Sequence, residues 1–151
     1  MTEIRFYHLT RKTLEQVLPE LLEKTLERDL RAVVMTGSAE RAEALAQHLW
    51  TYNPNGFLPH GNAKDGNAEM QPIWLTAEDE RPNKADILFL TDGAVSARLS
   101  DYARACYIFD GNDTEALAAV RQRWALDKKN GHDISYWQQG DKGWVNATPE
   151  G

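Results

Sequence analysis

A single cysteine, Cys106, is present among 151 residues, and it lies inside an apolar run. One thiol excludes an internal disulfide framework and suits a reducing compartment. No apolar stretch approaches the length needed to span a membrane, so no membrane association is expected. The opening Met1-Thr-Glu-Ile-Arg-Phe-Tyr-His8 lacks a basic segment followed by a long apolar one. No signal peptide is expected from it, and a cytoplasmic protein is. An excess of cations is missing too. Lys and Arg number 17 against 23 Asp and Glu, for a formal charge of −6. That balance predicts no direct, general grip on nucleic acid, although a local basic patch stays open. The four histidines, His8, His48, His60 and His132, show no metal-ligand spacing, so neither a metal nor another cofactor is expected. No Gly-x-Ser-x-Gly elbow occurs, and Cys106, placed mid-strand, is a poor nucleophile.

What is present is an alternation of short apolar runs and helical periods. Ile4 to Leu9 and Arg31 to Thr36 read as strands. Between them, Thr13 and Gln16 form a capping-box start for a helix carrying Leu14, Val17, Leu18, Leu21, Leu22 and Leu26. Pro19 falls inside that pattern, so it kinks the helix or marks its true start. Ala42, Leu45, Ala46 and Leu49 share one face of a second helix. Thr51 to Gln71 has no period, is rich in Asn and Gly, and reads as one long loop. Pro72 to Thr76 is a short strand. The continuous apolar runs Asp86 to Leu90 and Ala105 to Phe109 have the character of strands buried on both faces. A short helix is expected over Ala94 to Asp101 and a longer one from Asn112 to about Lys128. Asp133 to Gln139 and Gly143 to Asn146 close the chain as a hairpin around Gly140. The order predicts a single α/β domain over residues 1–147. Its sheet is mainly parallel with helices on both faces, and 148–151 form a flexible tail.

Two glycines, Gly61 and Gly66, have the spacing of a nucleotide-binding phosphate loop. Such a loop needs a strand before it, a helix after it, and Lys and Ser/Thr following the second glycine. Here Asn67 and Ala68 occupy those positions, and no helical run follows. The chain therefore reads as a binding module, with a small nucleotide-binding or hydrolysing α/β enzyme as the alternative.

Two places carry binding chemistry. At 100° per residue, Leu117, Arg121, Trp124 and Lys128 form one stripe on the helix after Asn112. A guanidinium beside an aromatic suits an anionic ligand with an apolar end. The same stripe equally suits an amphipathic helix with solvated cations. The second place is Trp50, Tyr52, Phe57 and Pro59, at a helix end and in the long loop. Such clusters mark protein interfaces or fold back to cap a sheet.

Several stretches together resemble the chi subunit of bacterial DNA polymerase III. They are Arg5-Phe6-Tyr7-His8-Leu9, Ala46-x-x-Leu49-Trp50, Phe57-Leu58-Pro59-His60, Asp86-Ile87-Leu88, Val120-Arg121-x-Arg123-Trp124 and Tyr136-Trp137-Gln138-Gln139. The resemblance implies a nucleotide-binding-like scaffold without the phosphate loop and no catalytic activity. It implies a clamp-loader accessory subunit that bridges, through the psi subunit, to single-stranded DNA-binding protein by holding its acidic C-terminal tail. It places the tail on Arg121 and Trp124, and psi or an alternative helicase partner on Trp50 and Phe57. Two positions depart from the family pattern. Asp110 stands for a valine at the pocket edge, and Leu117 for a lysine one turn before the arginine.

Overall fold

The computed structural model describes residues 2–52, 58–141 and 143–148. Seven strands form one sheet: β1 (Glu3–Leu9), β2 (Ala32–Met35), β3 (Ile73–Thr76), β4 (Ile87–Leu90), β5 (Arg104–Asp110), β6 (Asp133–Gly140) and β7 (Gly143–Asn146). Their order is β3-β2-β4-β5-β1-β6-β7, and every pairing is parallel except the closing β6–β7 hairpin. Among the described residues three α-helices connect them: α1 (Leu14–Glu27), α2 (Ala39–Thr51) and α3 (Thr114–Lys129). The α/β class with a mainly parallel sheet is as the sequence predicts.

Alternate residues of the buried strands feed two cores. Tyr7, Val34, Leu75, Phe89 and Cys106 meet Val17, Leu18, Leu22, Leu45 and Leu49 of α1 and α2 on one face. Phe6, Val33, Leu88 and Tyr107 meet Leu117, Val120 and Trp124 of α3 on the other. A strand covered on both faces must be apolar at every position, which is why β4 reads Ile-Leu-Phe-Leu.

Pro19 sits within α1, buried. Having no N–H, it leaves the carbonyl of Glu15 without its intrahelical donor. His48 Nε2, from α2, lies 2.6 Å from that oxygen and supplies the donor instead. The proline is thus accommodated by a bond that also fastens the two helices together.

Three expectations are corrected. Only Leu99–Asp101 is helical in the stretch expected to be helix over Ala94 to Asp101, and it is a single 3-10 turn. Ser96 Oγ and the Ala97 N–H donate to Asp79 at 2.6 and 2.8 Å, which holds the preceding residues in a loop. The cap of α3 is Asp113 rather than Asn112, its carboxylate accepting from the N–H groups of Glu115 and Ala116. The long loop is not featureless either. Ala68–Met70 form a 3-10 turn, and Gly61 bridges in parallel to Trp74 on the outer strand. Gly61 N–H donates to Ile73 O at 3.0 Å, and Leu75 N–H donates to Gly61 O at 2.9 Å. The glycine that resembled a phosphate loop therefore covers the edge of β3. The expected tail starts at Thr148, and its other residues lie outside those described.

At the inner side of α3 lies a polar cluster of buried Tyr107 and Asp127 with half-buried Arg123 and His132. Asp127 is 1% exposed. Burial pushes its carboxyl up, and Arg123 and His132 pull it partly back. A carboxyl whose folded-state pKa is raised binds more protons folded than unfolded between its unfolded value, about 3.9, and the folded one. Stability therefore falls as pH rises through that window. Urea titrations across it are expected to show this decline, and Asp127→Asn is expected to flatten it.

Candidate functional site

The stripe on α3 divides by depth. Leu117 and Trp124 are half-buried and pack against the core, whereas Arg121 and Lys128 are exposed. Trp124 lies tilted on Phe6 at 5.1 Å between ring centroids and meets Tyr136 edge-on at 6.0 Å. Tyr136 in turn approaches Phe109 at 6.0 Å and His8 at 5.8 Å. The Tyr136 hydroxyl and His8 Nδ1 are hydrogen-bonded at 2.5 Å. The result is an aromatic shelf at the seam of α3, β1, β5 and β6.

Charge around the shelf is set by two residues. Burial raises the Tyr136 phenol, and the positive charge of Arg121 pulls it partly back. Burial lowers His8, and Asp110 pulls it up. An exposed cation, Arg121, thus acts on Tyr136 and an exposed carboxylate, Asp110, on His8. It offers flat apolar area and one exposed guanidinium fork, which suits a carboxylate attached to an apolar side chain.

Sequence periodicity brought Leu117, Arg121 and Trp124 together. It did not find Tyr136, His8 or Phe109. Their signal is strand register, since β1 pairs with β6 so that Phe6 faces Tyr136, and with β5 so that His8 faces Phe109.

The second cluster is only partly assembled. Trp50 is 46% exposed, its ring 4.1 Å from that of His60. His60 is buried, with its ring nitrogens 2.6 Å from Leu58 O and 2.8 Å from Ala46 O, so Trp50 rests on a fixed support. Tyr52 turns inward, packs on the core and donates its hydroxyl to Glu23 of α1. Burial, and then Glu23, push its phenol up to about 12. Pro59 is half-buried, and Phe57 lies outside the described residues. Trp50 is therefore the outward-facing member of the described part.

A third feature is a cavity of about 680 Å³ at the C-terminal ends of β1, β4 and β5, lined by Asp92, Arg41, Tyr107, Asp110 and Arg123 among others. In doubly wound folds this is where ligands bind, and the turn after the first strand supplies backbone N–H groups to them. Here that turn is Thr10-Arg11-Lys12, without glycine. Its three N–H groups donate to one atom, Gln139 Oε1, at 3.2, 2.9 and 3.0 Å. The side chain of β6 fills the position that a phosphate oxygen would take. Among the described residues no group of three or more His, Cys, Asp or Glu could hold a metal ion, and no helix is long and apolar enough to cross a membrane.

Comparison with known proteins agrees with the resemblance seen in the sequence. Residues 1–135 match the family described as DNA polymerase III chi subunit, HolC. A protein of Rickettsia prowazekii (strain Madrid E), named probable DNA polymerase III subunit chi, is 30% identical over 107 residues. That alignment covers 69% of this chain and 65% of the relative's length.

Truncating Trp50 tests whether it is surface or core. Trp50→Ala is expected to cost about 1 kcal/mol or less in thermal unfolding, as for an exposed ring, and not the ~3–5 kcal/mol of a core aromatic.

Proposed function

The chain belongs to the DNA polymerase III chi subunit family, and from that premise we propose that it is a non-catalytic adaptor of the replisome. In this reading it ties the clamp loader to coated single strands by holding the acidic C-terminal tail of single-stranded DNA-binding protein. The observation that carries the reading is the position of Arg121. It is an exposed guanidinium at the rim of an aromatic shelf whose rings are locked by the core. The terminal carboxylate of the tail takes the fork, and its last apolar side chain lies on Trp124 and Tyr136 beside Leu117. Lys128, one of two cations in the last turn of α3, adds attraction for the tail's acidic residues. Asp110 opposes it. Trp50, supported by His60, is the anchor of a separate surface for psi or a helicase partner, together with Phe57, Tyr52 and Pro59. The two surfaces lie on opposite faces of the sheet, since α2 covers one and α3 the other.

The cavity at the strand ends favours the alternative, a nucleotide-binding enzyme. The Gln139 carboxamide argues against it, because the N–H groups that would cradle a phosphate already share an acceptor. Calorimetric titration with Mg-ATP is expected to give no heat, and saturable binding would revive the enzyme reading.

Arg121→Ala is expected to leave unfolding unchanged and to cost about 1.5–3 kcal/mol of binding to a free-carboxylate tail peptide, the range for a hydrogen bond to a charged group. Asp110→Asn is expected to tighten binding, most at low salt. Unchanged affinity in Arg121→Ala would remove α3 from the site.

A further inference from the structure

A second cavity, of about 230 Å³, lies on the opposite face of the sheet, between the C-terminal half of α1 and the strands. Its floor is aromatic. Trp137 of β6 and Trp144 of β7 are half-buried there, and Trp144 meets Tyr7 edge-on at 4.8 Å. Both rims are cationic. Arg5 and Arg104 rise from neighbouring strands on one side, and Lys24 in the last turn of α1 and Arg28 at its C-cap stand on the other. Among the described residues lining the cavity none is acidic.

Glu3 lies beside the strand rim of the groove. Its Oε1 accepts from Arg5 Nε at 3.2 Å and also from Arg104 Nε. Two guanidiniums sharing one carboxylate leave a net positive charge. Arg5 also lies 5.4 Å over the Trp137 ring, so its head is held in place rather than free to fold away. Lys24 and Arg28 are exposed and make no ion pair among the described residues. In a chain of net charge −6, this is a concentrated island of positive charge around an apolar slot.

We propose that this groove docks an internal acidic segment of a partner protein, with one apolar side chain in the slot and carboxylates on the two cationic rims. Charge complementarity selects the anion, and size selects the class. The slot admits one side chain, and the four cations can balance a few carboxylates. A long nucleic acid strand would extend beyond the island into the field of an acidic protein, where each further phosphate is repelled. A short acidic segment ends where the positive charge ends. The site needs no free chain terminus, which separates it from the one assigned to Arg121, and it does not depend on that assignment.

The test uses the full chain and a fluorescent, C-terminally amidated peptide of alternating Asp and Glu with a central Leu. Binding measured by anisotropy is expected to be saturable and to weaken as salt rises. The double variant Lys24→Glu with Arg28→Glu changes two exposed positions at the end of α1, and circular dichroism checks that it folds. It is expected to lose affinity by about tenfold or more. Arg121→Ala is expected to bind this peptide as the parent does. The proposal is overturned by absence of binding, by equal affinity in the folded double variant, or by loss in Arg121→Ala. It is equally overturned if oligothymidylate binds at the groove more tightly than the peptide, which would make the site one for nucleic acid.

Discussion

The contact on which the account depends is that between Trp124 and Phe6. Phe6 is fully buried at the centre of β1, stacked on Tyr107 of β5 at 4.9 Å. Trp124 closes over it from α3. This pair fixes the rotation of α3 about its own axis. Because α3 is helical, that rotation sets Arg121, about 60° around the axis from Trp124, at the edge of the buried face. The guanidinium is exposed at the rim while the ring one turn away is half-buried. The same packing draws Tyr136 into the seam and makes an apolar shelf beside a cation. Trading either ring for a small residue would free the helix to turn as well as open a cavity.

Gln139 acts on the scaffold in a comparable way. A parallel sheet with a crevice at its strand ends is a nucleotide-binding architecture by geometry alone. What a fold does is decided by the groups placed in it. Three converging backbone N–H groups make a cradle for an oxygen, and here the oxygen belongs to the protein. The Thr10 hydroxyl also donates to the Gln139 carbonyl at 3.2 Å, so the end of β6 is bound to the first turn of the chain. Gln139 thus ties the ends of β1 and β6 through its carbonyl and occupies the cradle through its side-chain oxygen.

The fold was largely readable because β4 is apolar at every position, β5 is apolar from Ala105 to Phe109, and α1 and α2 carry clear periods. The failures have local causes. Residues 94–98 have helix-compatible composition, but Asp79, 17 residues upstream of Ser96, offers their donors a better partner. Asn112 and Asp113 are both good caps, and composition alone does not choose between them. The site was readable only on α3, where one period places Leu117, Arg121 and Trp124 together. His8 and Tyr136 are 128 residues apart and meet through strand register, which no local pattern encodes. The basic groove was hidden for the same reason. Arg5, Arg28 and Arg104 are scattered through an acidic chain, and the sheet and α1 gather them.

The central claim is that the acidic tail docks on the seam between α3 and β6. Amide chemical-shift mapping by nuclear magnetic resonance, titrating isotope-labelled protein with a tail peptide, tests it most directly. The account predicts perturbations concentrated in α3 from Leu117 to Lys128 and in β6 around Tyr136, with α2 and the residues near His60 unmoved. Perturbations centred on Trp50 and His60, or spread over the molecule without a focus, would contradict it.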